Sequence, residues 1–385
     1  MNSDIAPGDA RALTAALVRV DSRNPSLVRG GPGEAECARL LRDVLDAWGF
    51  RTELHDVAPG RPNLVARIGG GGSGRSLMFN GHLDVVGTEG MVHEPFAAGV
   101  RDGRLYGRGS ADMKGGIAAM CAAAHRAAGA GIGGEVIIAA VADEEYESLG
   151  TRALIASGVR ADAAVITEPT RLSIMPAHRG FVWMDIEVTG RAAHGSRWDI
   201  GVDAIRHMGL LLAELDRLDA EVLPRTAHPL LGRGSLHASL ISGGIGYSTY
   251  PDRCALGLER RTIPGETAEG VVAEVRALCA AIAARRPSFV ADVRLGGAQG
   301  PSDVAVDAPL VTGLRDAVQA AGVPVVVEGM SAWTDAALLN EEGIPAVCFG
   351  PGDISLAHAA EEYIPLDEID RATAILASLA GRWCA

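Results

Sequence analysis

The chain has 385 residues, of which 48% are hydrophobic and 22% charged, so it has enough apolar material for one large core or two ordinary ones. This composition excludes a disordered or collagen-like chain. The formal net charge is −13 and the basic residues form no cluster, so we do not expect nucleic acid as a partner.

The longest apolar runs are too short to span a bilayer, and the first residues lack the basic and apolar regions of a secretory signal. We therefore expect a cytoplasmic protein that has no membrane partner. The six cysteines lie far apart without CxxC spacing, in a chain too large to need disulfides. They are predicted to be buried thiols.

The first half of the chain alternates between helical and strand-like patterns. Helices are predicted over residues 9–20, 34–48, 113–128 and 148–157. Strands are predicted over residues 63–68, 76–80, 135–141 and 163–167. Residues 101–108 carry Asp102-Gly103 between apolar flanks, which predicts a hairpin. The alternation is typical of an α/β layer with a mainly parallel sheet.

The order of elements changes at about residue 181. A β-α-β-β-α-β order is predicted from strand 181–188, helix 202–218, strands 235–241 and 254–261, helix 266–284 and strand 289–295. The α/β alternation then resumes with helix 309–321, strand 323–327, helix 335–342, strand 346–349 and helix 367–382. We interpret this as a discontinuous α/β domain, residues 1–178 and 297–385, with an inserted ferredoxin-like α+β domain, residues 179–296.

Potential metal ligands follow four of the predicted strands, at the edge where ligands gather in open α/β sheets. They are His82 and Asp84 after the second strand, Asp143, Glu144 and Glu145 after the third, Glu168 after the fourth, and His358 near the end of the chain. Asp112 precedes a helix. Histidine together with carboxylates is the ligand set expected for a divalent metal such as zinc. Five ligands that share one carboxylate would hold two ions about 3.5–4 Å apart.

Each of these residues also has an ordinary alternative. His82 could be an interior histidine whose hydrogen bonds are satisfied, and Asp112 could be a helix N-cap. Glu168 could be a loop residue before a proline, and residues 143–145 a solvated charge run. The combination of all of them at one sheet edge favours the metal site.

Five stretches carry a resemblance to a known family. They are residues 81–86 (GHLDVV), 107–116 (GRGSADMKGG), 142–145 (ADEE), 167–170 (TEPT) and 350–358 (GPGDISLAH). Together they resemble the signatures of the di-zinc aminoacylase family, which includes acetylornithine deacetylases, succinyl-diaminopimelate desuccinylases, aminoacylases and glutamate carboxypeptidases. The likeness runs from about residue 10 to the last residues. It implies a discontinuous zinc-hydrolase domain with an inserted dimerisation domain.

The resemblance implies a centre of two zinc ions per subunit, in which cobalt or manganese could substitute. Asp112 would bridge the two ions. His82 and Glu168 would complete one site, and Glu145 and His358 the other.

The resemblance also implies the catalytic residues. Glu144 would be the general base that takes a proton from the attacking water and passes it to the leaving amine. Asp84 stands at the spacing of a carboxylate that fixes the tautomer of His82. His194 would reach across a homodimer interface to polarise the scissile carbonyl in the partner's site. A histidine that serves only a turn is the alternative for His194.

Substrate contacts are predicted from several further positions. Arg261 matches the family's arginine before a Pro-Gly turn and would hold a substrate carboxylate, with a salt bridge to Glu259 as the alternative. Ser248 stands where relatives usually carry asparagine, so recognition of a carbonyl there is in doubt. His178 and Arg179 lie at the predicted hinge between the domains and could position substrate.

Two more features belong to the predicted substrate site. Trp333 stands where many relatives carry a small residue, and it suggests an apolar wall or an ordinary core position. Gly350 and Gly352 offer backbone N–H groups that could bind a carboxylate near His358.

The leading hypothesis is a di-zinc hydrolase that cleaves the amide bond of an N-acyl amino acid, as deacetylases and desuccinylases do. The alternative is a carboxypeptidase or dipeptidase, which uses the same machinery. A third hypothesis is a metal-dependent binding protein without activity, but its loss of chemistry should show first at Glu144 or His194, and both are present. The sequence does not identify the acyl group or the amino acid.

Overall fold

The computed structural model describes residues 5–385 and divides into two compact units. The smaller unit comprises Ala177–Asp303 and Gly329–Trp333, and the larger unit comprises the rest of the described chain. The predicted boundaries, after residues 178 and 296, lie near the ends of the longer segment. The short segment that rejoins the smaller unit was not predicted. The assignment of catalytic and dimerisation roles to the two units stays a prediction.

The elements are numbered in chain order. The α-helices of the described residues are α1 (Ala10–Val18), α2 (Ala35–Ala47), α3 (Gly115–Gly129), α4 (Leu149–Ala156), α5 (Ala204–Arg217), α6 (Ala268–Arg285), α7 (Pro309–Ala320), α8 (Ala336–Glu341) and α9 (Leu366–Trp383). The strands up to the smaller unit are β1 (Arg51–Ala58), β2 (Arg61–Gly69), β3 (Ser76–His82), β4 (Gly99–Arg101), β5 (Arg104–Tyr106), β6 (Glu135–Val141), β7 (Ala164–Ile166) and β8 (Ile174–His178). The remaining strands are β9 (Gly180–Thr189), β10 (Ala227–His228), β11 (Gly232–Arg233), β12 (Ser235–Gly243), β13 (Arg253–Thr262), β14 (Val290–Gln299), β15 (Ser302–Asp303), β16 (Val327–Met330), β17 (Ala346–Cys348) and β18 (Tyr363–Pro365).

The larger unit is built on a sheet in which the strands follow the order β1-β2-β6-β3-β7-β17-β8. The four central strands, β6, β3, β7 and β17, are parallel to one another, and the outer ones pair antiparallel. β3 and β6 are buried along almost their whole length, as expected of strands covered on both faces. The predicted α/β class with a mainly parallel sheet is confirmed. Its parallel centre brings the carboxyl ends of four strands to one edge.

Helix α3 is apolar on nearly all sides and consists mainly of alanine and glycine. It packs against α1 and α9 within the larger hydrophobic core. Small side chains allow this helix to approach its neighbours closely. Because its first residues follow Asp112 directly, the packing of α3 fixes the position of the turn that carries this carboxylate.

The smaller unit has the predicted order β9-α5-β12-β13-α6-β14. Its four-stranded antiparallel sheet runs β12-β13-β9-β14, with α5 and α6 packed on one face. Side chains such as Ile186, Leu211, Leu256 and Val275 fill the core between them, and burying each of these contributes about 1.5–3 kcal/mol. The predicted ferredoxin-like fold is confirmed. On the opposite face Trp183 is half exposed.

Three local predictions differ from the structure. β1 was not predicted, because most of its residues are polar and it lies at the edge of the sheet. β8 was missed because Pro176 interrupts its apolar run. The strand predicted over residues 323–327 is wrong: Pro324 has no N–H to donate, and the strand β16 begins only at Val327.

Other local predictions are confirmed. β4 and β5 form the predicted hairpin, and Asp102 and Gly103 both have positive φ, as a two-residue hairpin turn requires. The six cysteines are all buried and unpaired. None of the helices in residues 5–385 combines the length and the apolar character that crossing a membrane requires.

Candidate metal centre

The predicted metal ligands meet at the carboxyl edge of the parallel strands. His82 is the last residue of β3, Glu145 lies on the loop after β6, and Glu168 follows β7. Asp112 lies in a short irregular turn, Ser110–Lys114, that leads into α3. Parallel strands end at a common edge, so their following loops converge.

Three buried side chains form the first group of candidate ligands. His82 Nε2 lies 3.0 Å from Asp112 Oδ1 and 3.9 Å from Glu168 Oε1. One ligand atom from each of the three lies within 4.8 Å of the others. Asp112 has φ −117° and ψ 93°, and the N-cap position of α3 is Lys114, so Asp112 is not a helix N-cap.

A second group shares Asp112 with the first. His358 Nε2 lies 3.5 Å from Asp112 Oδ2 and 3.0 Å from Glu145 Oε2. The two oxygens of Asp112 therefore face different histidines, one in each group. His358 is half exposed, whereas Asp112 is buried. This arrangement matches the chemistry of two adjacent cation sites that share one carboxylate.

The charges of the centre also suit cations. Burial raises the pKa of Glu145 and of Glu168, and the neighbouring carboxylate of Asp112 raises both further. Burial opposes a charge on His82, but its hydrogen bond to Asp112 and the surrounding carboxylates hold its pKa well above the usual 6.5. Hydrogen bonds to Asp112 and Glu145 raise the pKa of His358 to about 10. The carboxylates therefore attract positive charge. Divalent ions would supply this charge and would displace the protons of the histidines.

In the neutral form of His82, a proton on Nδ1 leaves the lone pair of Nε2, which faces Asp112, for a metal. His82 Nδ1 donates a hydrogen bond to the backbone carbonyl of Asp84 at 2.9 Å, whereas the carboxylate of Asp84 is 3.6 Å away. The prediction that the carboxylate of Asp84 fixes the tautomer of His82 is therefore corrected: the backbone carbonyl of Asp84, not its carboxylate, makes the shorter contact with Nδ1. A carbonyl can only accept, so the neutral ring carries its proton on Nδ1.

The Asp84 carboxylate instead organises the loop that carries the predicted base. Its two oxygens accept hydrogen bonds from the backbone N–H groups of Glu144 and Glu145, each at 3.2 Å. Asn24 Nδ2 donates to the same carboxylate at 2.8 Å and to Asp143 at 3.0 Å. The positions of Glu144 and Glu145 are therefore set by a buried network.

Glu144 directly precedes the candidate ligand Glu145 and belongs to neither group of ligand atoms. Burial raises its pKa well above 4.5, the charge of His82 lowers it, and the negative charge of Glu168 raises it again, with a net upward shift. A carboxylate with a raised pKa suits proton transfer near neutral pH.

Close packing explains the two glycines that follow Lys114. A Cβ atom at Gly116 would lie 2.0 Å from the carbonyl oxygen of Thr167. Only glycine allows the start of α3 to approach the residue that precedes Glu168 so closely. The same approach keeps Asp112 near Glu168.

Three buried polar residues around the centre were not predicted as part of the site. Asn24 lies on a loop with no strand before it, so no pattern identified it. Asp335 was placed at the start of a helix; it accepts a hydrogen bond from Thr151 Oγ1 at 2.6 Å, and burial raises its pKa to about 6. Glu362, four residues after His358, is fully buried against the turn that carries Asp112.

The predicted substrate-binding arginines have partners within the smaller unit. Arg261 forms an ion pair with Glu259 and lies over the ring of Phe181. The salt bridge that was the alternative for Arg261 is therefore present. Arg179 Nη2 donates to the carbonyl of Leu231 at 2.6 Å. The roles of both arginines toward a substrate stay predictions.

His194 and Ser248 lie on adjoining loops of the smaller unit. Gly195 donates its N–H to the carbonyl of Ser248 at 2.7 Å, and His194 pairs with Thr249 in an isolated bridge. Both predicted residues are exposed, and His194 Nδ1 bonds the hydroxyl of Ser196 at 2.9 Å. The structure brings these two residues together, and their function stays a prediction.

Trp333 and His178 pack together in the smaller unit. Their rings meet edge to face with centroids 6.2 Å apart, and Trp333 Nε1 donates to the carbonyl of Gly300 at 3.0 Å. Burial lowers the pKa of His178 to about 4, so the ring is neutral at neutral pH. Trp333 therefore belongs to an aromatic cluster that also includes Phe181.

The prediction that Gly350 and Gly352 offer free N–H groups is wrong. Gly350 donates its N–H to Thr170 Oγ1 at 3.0 Å, and Gly352 donates to Glu368 Oε2 at 2.8 Å. Both donors are used to hold the loop in place. A substrate carboxylate would have to displace a side chain to reach them.

Known proteins resemble this chain in sequence and in fold. The chain is 33% identical to an acetylornithine deacetylase from Myxococcus xanthus over 352 residues, which cover 88% of this chain and 90% of that protein. The structure superposes on aminopeptidase PepT from Bacillus cereus with a TM-score of 0.83 and 21% identity, covering 99% and 100% of the two chains. It superposes on a dinuclear metal-binding peptidase of family M20 from Bacillus subtilis with a TM-score of 0.74 and 18% identity, covering 97% of each chain.

Residues 78–382 also match the model of peptidase family M20/M25/M40. This range includes all five candidate ligands and the whole smaller unit. The predicted resemblance, and with it the prediction of an enzyme, is confirmed. The chain belongs to peptidase family M20/M25/M40 and is a hydrolase of that family.

Proposed function

We propose that the protein is a di-zinc hydrolase that removes the acyl group from an N-acyl amino acid. The observation that carries this proposal is the division of the two oxygens of Asp112 between the two groups of ligands. The similarity to an acetylornithine deacetylase over 88% of the chain supports an amide of an acylated amino acid as the substrate class.

The residues have distinct roles in this proposal. His82 and Glu168 would hold one zinc ion, Glu145 and His358 would hold the other, and Asp112 would contribute to both sites. When bound, the two ions polarise the scissile carbonyl and bring the pKa of a water molecule near neutrality.

Glu144 moves the proton. Its carboxylate takes a proton from the attacking water and delivers it to the leaving amine, and its raised pKa suits both steps. Asp84 holds the backbone of Glu144 and Glu145, so that the base and the neighbouring ligand keep a fixed separation. The base is therefore positioned before the substrate binds.

The active form in this proposal is a homodimer formed through the smaller unit. Strand β12 is the outermost strand of its sheet, and Leu240 and Ile241 on it are 74% and 59% exposed. An exposed edge with apolar side chains is a site for pairing with another chain. A two-fold interface there buries one self-complementary patch and lets His194 of one subunit serve the site of its partner.

A panel of substrates tests the proposed function. N-acetyl, N-succinyl, N-formyl and N-carbamoyl amino acids are assayed beside dipeptides, with zinc or cobalt present. We expect release of free amine from one or more N-acyl amino acids. Hydrolysis of dipeptides alone would instead favour the carboxypeptidase or dipeptidase alternative.

The metal content gives a separate prediction. Purified protein should hold close to two divalent ions per chain at neutral pH, because the five ligands form two groups that share Asp112. Elemental analysis measures this number. Chelators should remove activity, and cobalt or manganese should restore it. An active preparation without stoichiometric metal would contradict the proposed centre.

A further inference from the structure

The carboxylate of Glu362 is fully buried beside the turn that carries Asp112. Its Oε1 accepts hydrogen bonds from the backbone N–H groups of Ala111 at 3.0 Å and Asp112 at 3.1 Å. Its Oε2 accepts from the N–H of Gly109 at 3.1 Å and from Arg108 Nη1 at 2.7 Å. Four donors from one short segment therefore converge on a single side chain.

These donors need hydrogen-bond acceptors at this place. Asp112 and Met113 have non-helical φ and ψ, so the turn departs from a regular helix at the candidate ligand. A buried N–H that is left without a partner destabilises the folded chain. Successive backbone N–H groups in a turn form a concave site that favours negative charge. Glu362 supplies this charge from within the chain.

Glu362 also connects the turn to the segment that carries His358. Its own backbone carbonyl accepts a hydrogen bond from the N–H of Gly107 at 3.2 Å. Strand β18 begins directly after Glu362 and pairs with β5. The side chain of Glu362 and the main chain that follows it therefore both contact the segment from β5 to Asp112. His358 lies four residues earlier and has φ +61°. The separation of Asp112 and His358 therefore depends on the contacts of Glu362.

We propose that Glu362 is a positioning residue that holds Asp112 and His358 at the separation that metal binding requires. This inference rests on the proposed function, because it takes Asp112 and His358 as ligands. Glu362 itself belongs to neither group of ligands. It acts on the metal centre through the backbone of residues 109–112.

The substitution Glu362→Gln tests this role. Glutamine has nearly the same shape as glutamate. Its side-chain NH₂ group would face N–H donors at the place where one carboxylate oxygen of Glu362 now accepts hydrogen bonds. Metal-free protein is titrated with Zn²⁺ by calorimetry and with Co²⁺ by visible absorption. We expect the dissociation constant of the metal to rise about 10- to 100-fold, the usual effect of removing a residue that supports a ligand.

Glu361→Gln is the matched control. It makes the same change of charge one residue away, at an exposed side chain whose ion pair is with Arg101 at 3.3 Å. Metal affinity should stay unchanged in this variant. A merely structural role for Glu362 would lower the melting temperature of the metal-free protein without changing the dissociation constant, and this result would overturn the inference.

Further outcomes separate this inference from the proposed function. A wild-type chain that binds no metal overturns both. If the wild type binds two ions and Glu362→Gln binds them with the same affinity, the inference about Glu362 is overturned and the proposed function is not. If Glu362→Gln does not fold, Arg108→Lys keeps the positive charge but loses the planar guanidinium donors. Arg108→Lys should also weaken metal binding, but by less than Glu362→Gln. Unchanged metal affinity in Arg108→Lys would contradict the role of Glu362.

Discussion

Replacing Glu144 by glutamine should lower turnover about 10²- to 10⁴-fold, the usual contribution of general acid–base catalysis. Glutamine has nearly the same shape but cannot accept the proton of the attacking water. Because neither group of ligand atoms includes Glu144, we expect the variant to keep its metal. Steady-state kinetics on the best substrate of the panel and elemental analysis of the same preparation measure the two effects.

Glu145→Gln should behave differently, although it changes the adjacent residue in the same way. The Glu145 carboxylate lies 3.0 Å from His358 Nε2 in the second group, so loss of its charge should weaken metal binding. Glu147→Gln is the control on the same loop, because this side chain is exposed and outside both groups. It should retain activity and metal. Equal metal loss in Glu144→Gln and Glu145→Gln would mean that the two roles are assigned wrongly.

Mixing two inactive variants, Glu144→Ala and His194→Ala, should restore activity if their subunits exchange. In the proposed dimer each active site combines Glu144 of one subunit with His194 of the other. A mixed dimer has one site with both defects and one with neither. His194 aims a donor at the oxyanion that forms on the scissile carbonyl, and such a donor is worth about 3 kcal/mol.

The size of the recovery is also predicted. Random exchange of equal amounts gives mixed dimers in half of the population, so activity should reach about a quarter of the wild-type value per subunit. A mixture of Glu144→Ala and Glu145→Ala is the control, because both defects lie on the loop after β6 and no complete site can form. Proven exchange without recovery would mean that His194 acts within its own chain or has no catalytic role.

The sequence by itself determined the parts that depend on local periodicity. Alternation of strand and helix patterns predicted the parallel sheet, and the β-α-β-β-α-β order predicted the smaller unit. Because parallel strands end at one edge, residues that follow different strands could be assigned to one site before any contact was known. This reasoning included His82, Glu145 and Glu168 among the candidate ligands, and the structure places these three around Asp112. The choice of Glu145 over Glu144 as the ligand rested on the family resemblance.

Partners that are distant in the chain were decided only by tertiary structure. Glu362 and Asp112 are 250 positions apart, and no periodicity links them. Arg261 matched a motif for binding a carboxylate, yet it pairs with Glu259 on its own strand. The N–H groups of Gly350 and Gly352 were predicted to bind a carboxylate, but in the structure they donate to the side chains of Thr170 and Glu368. Periodicity reports which side chains are buried, but the choice of hydrogen-bond partner depends on which loops meet, and packing alone decides that.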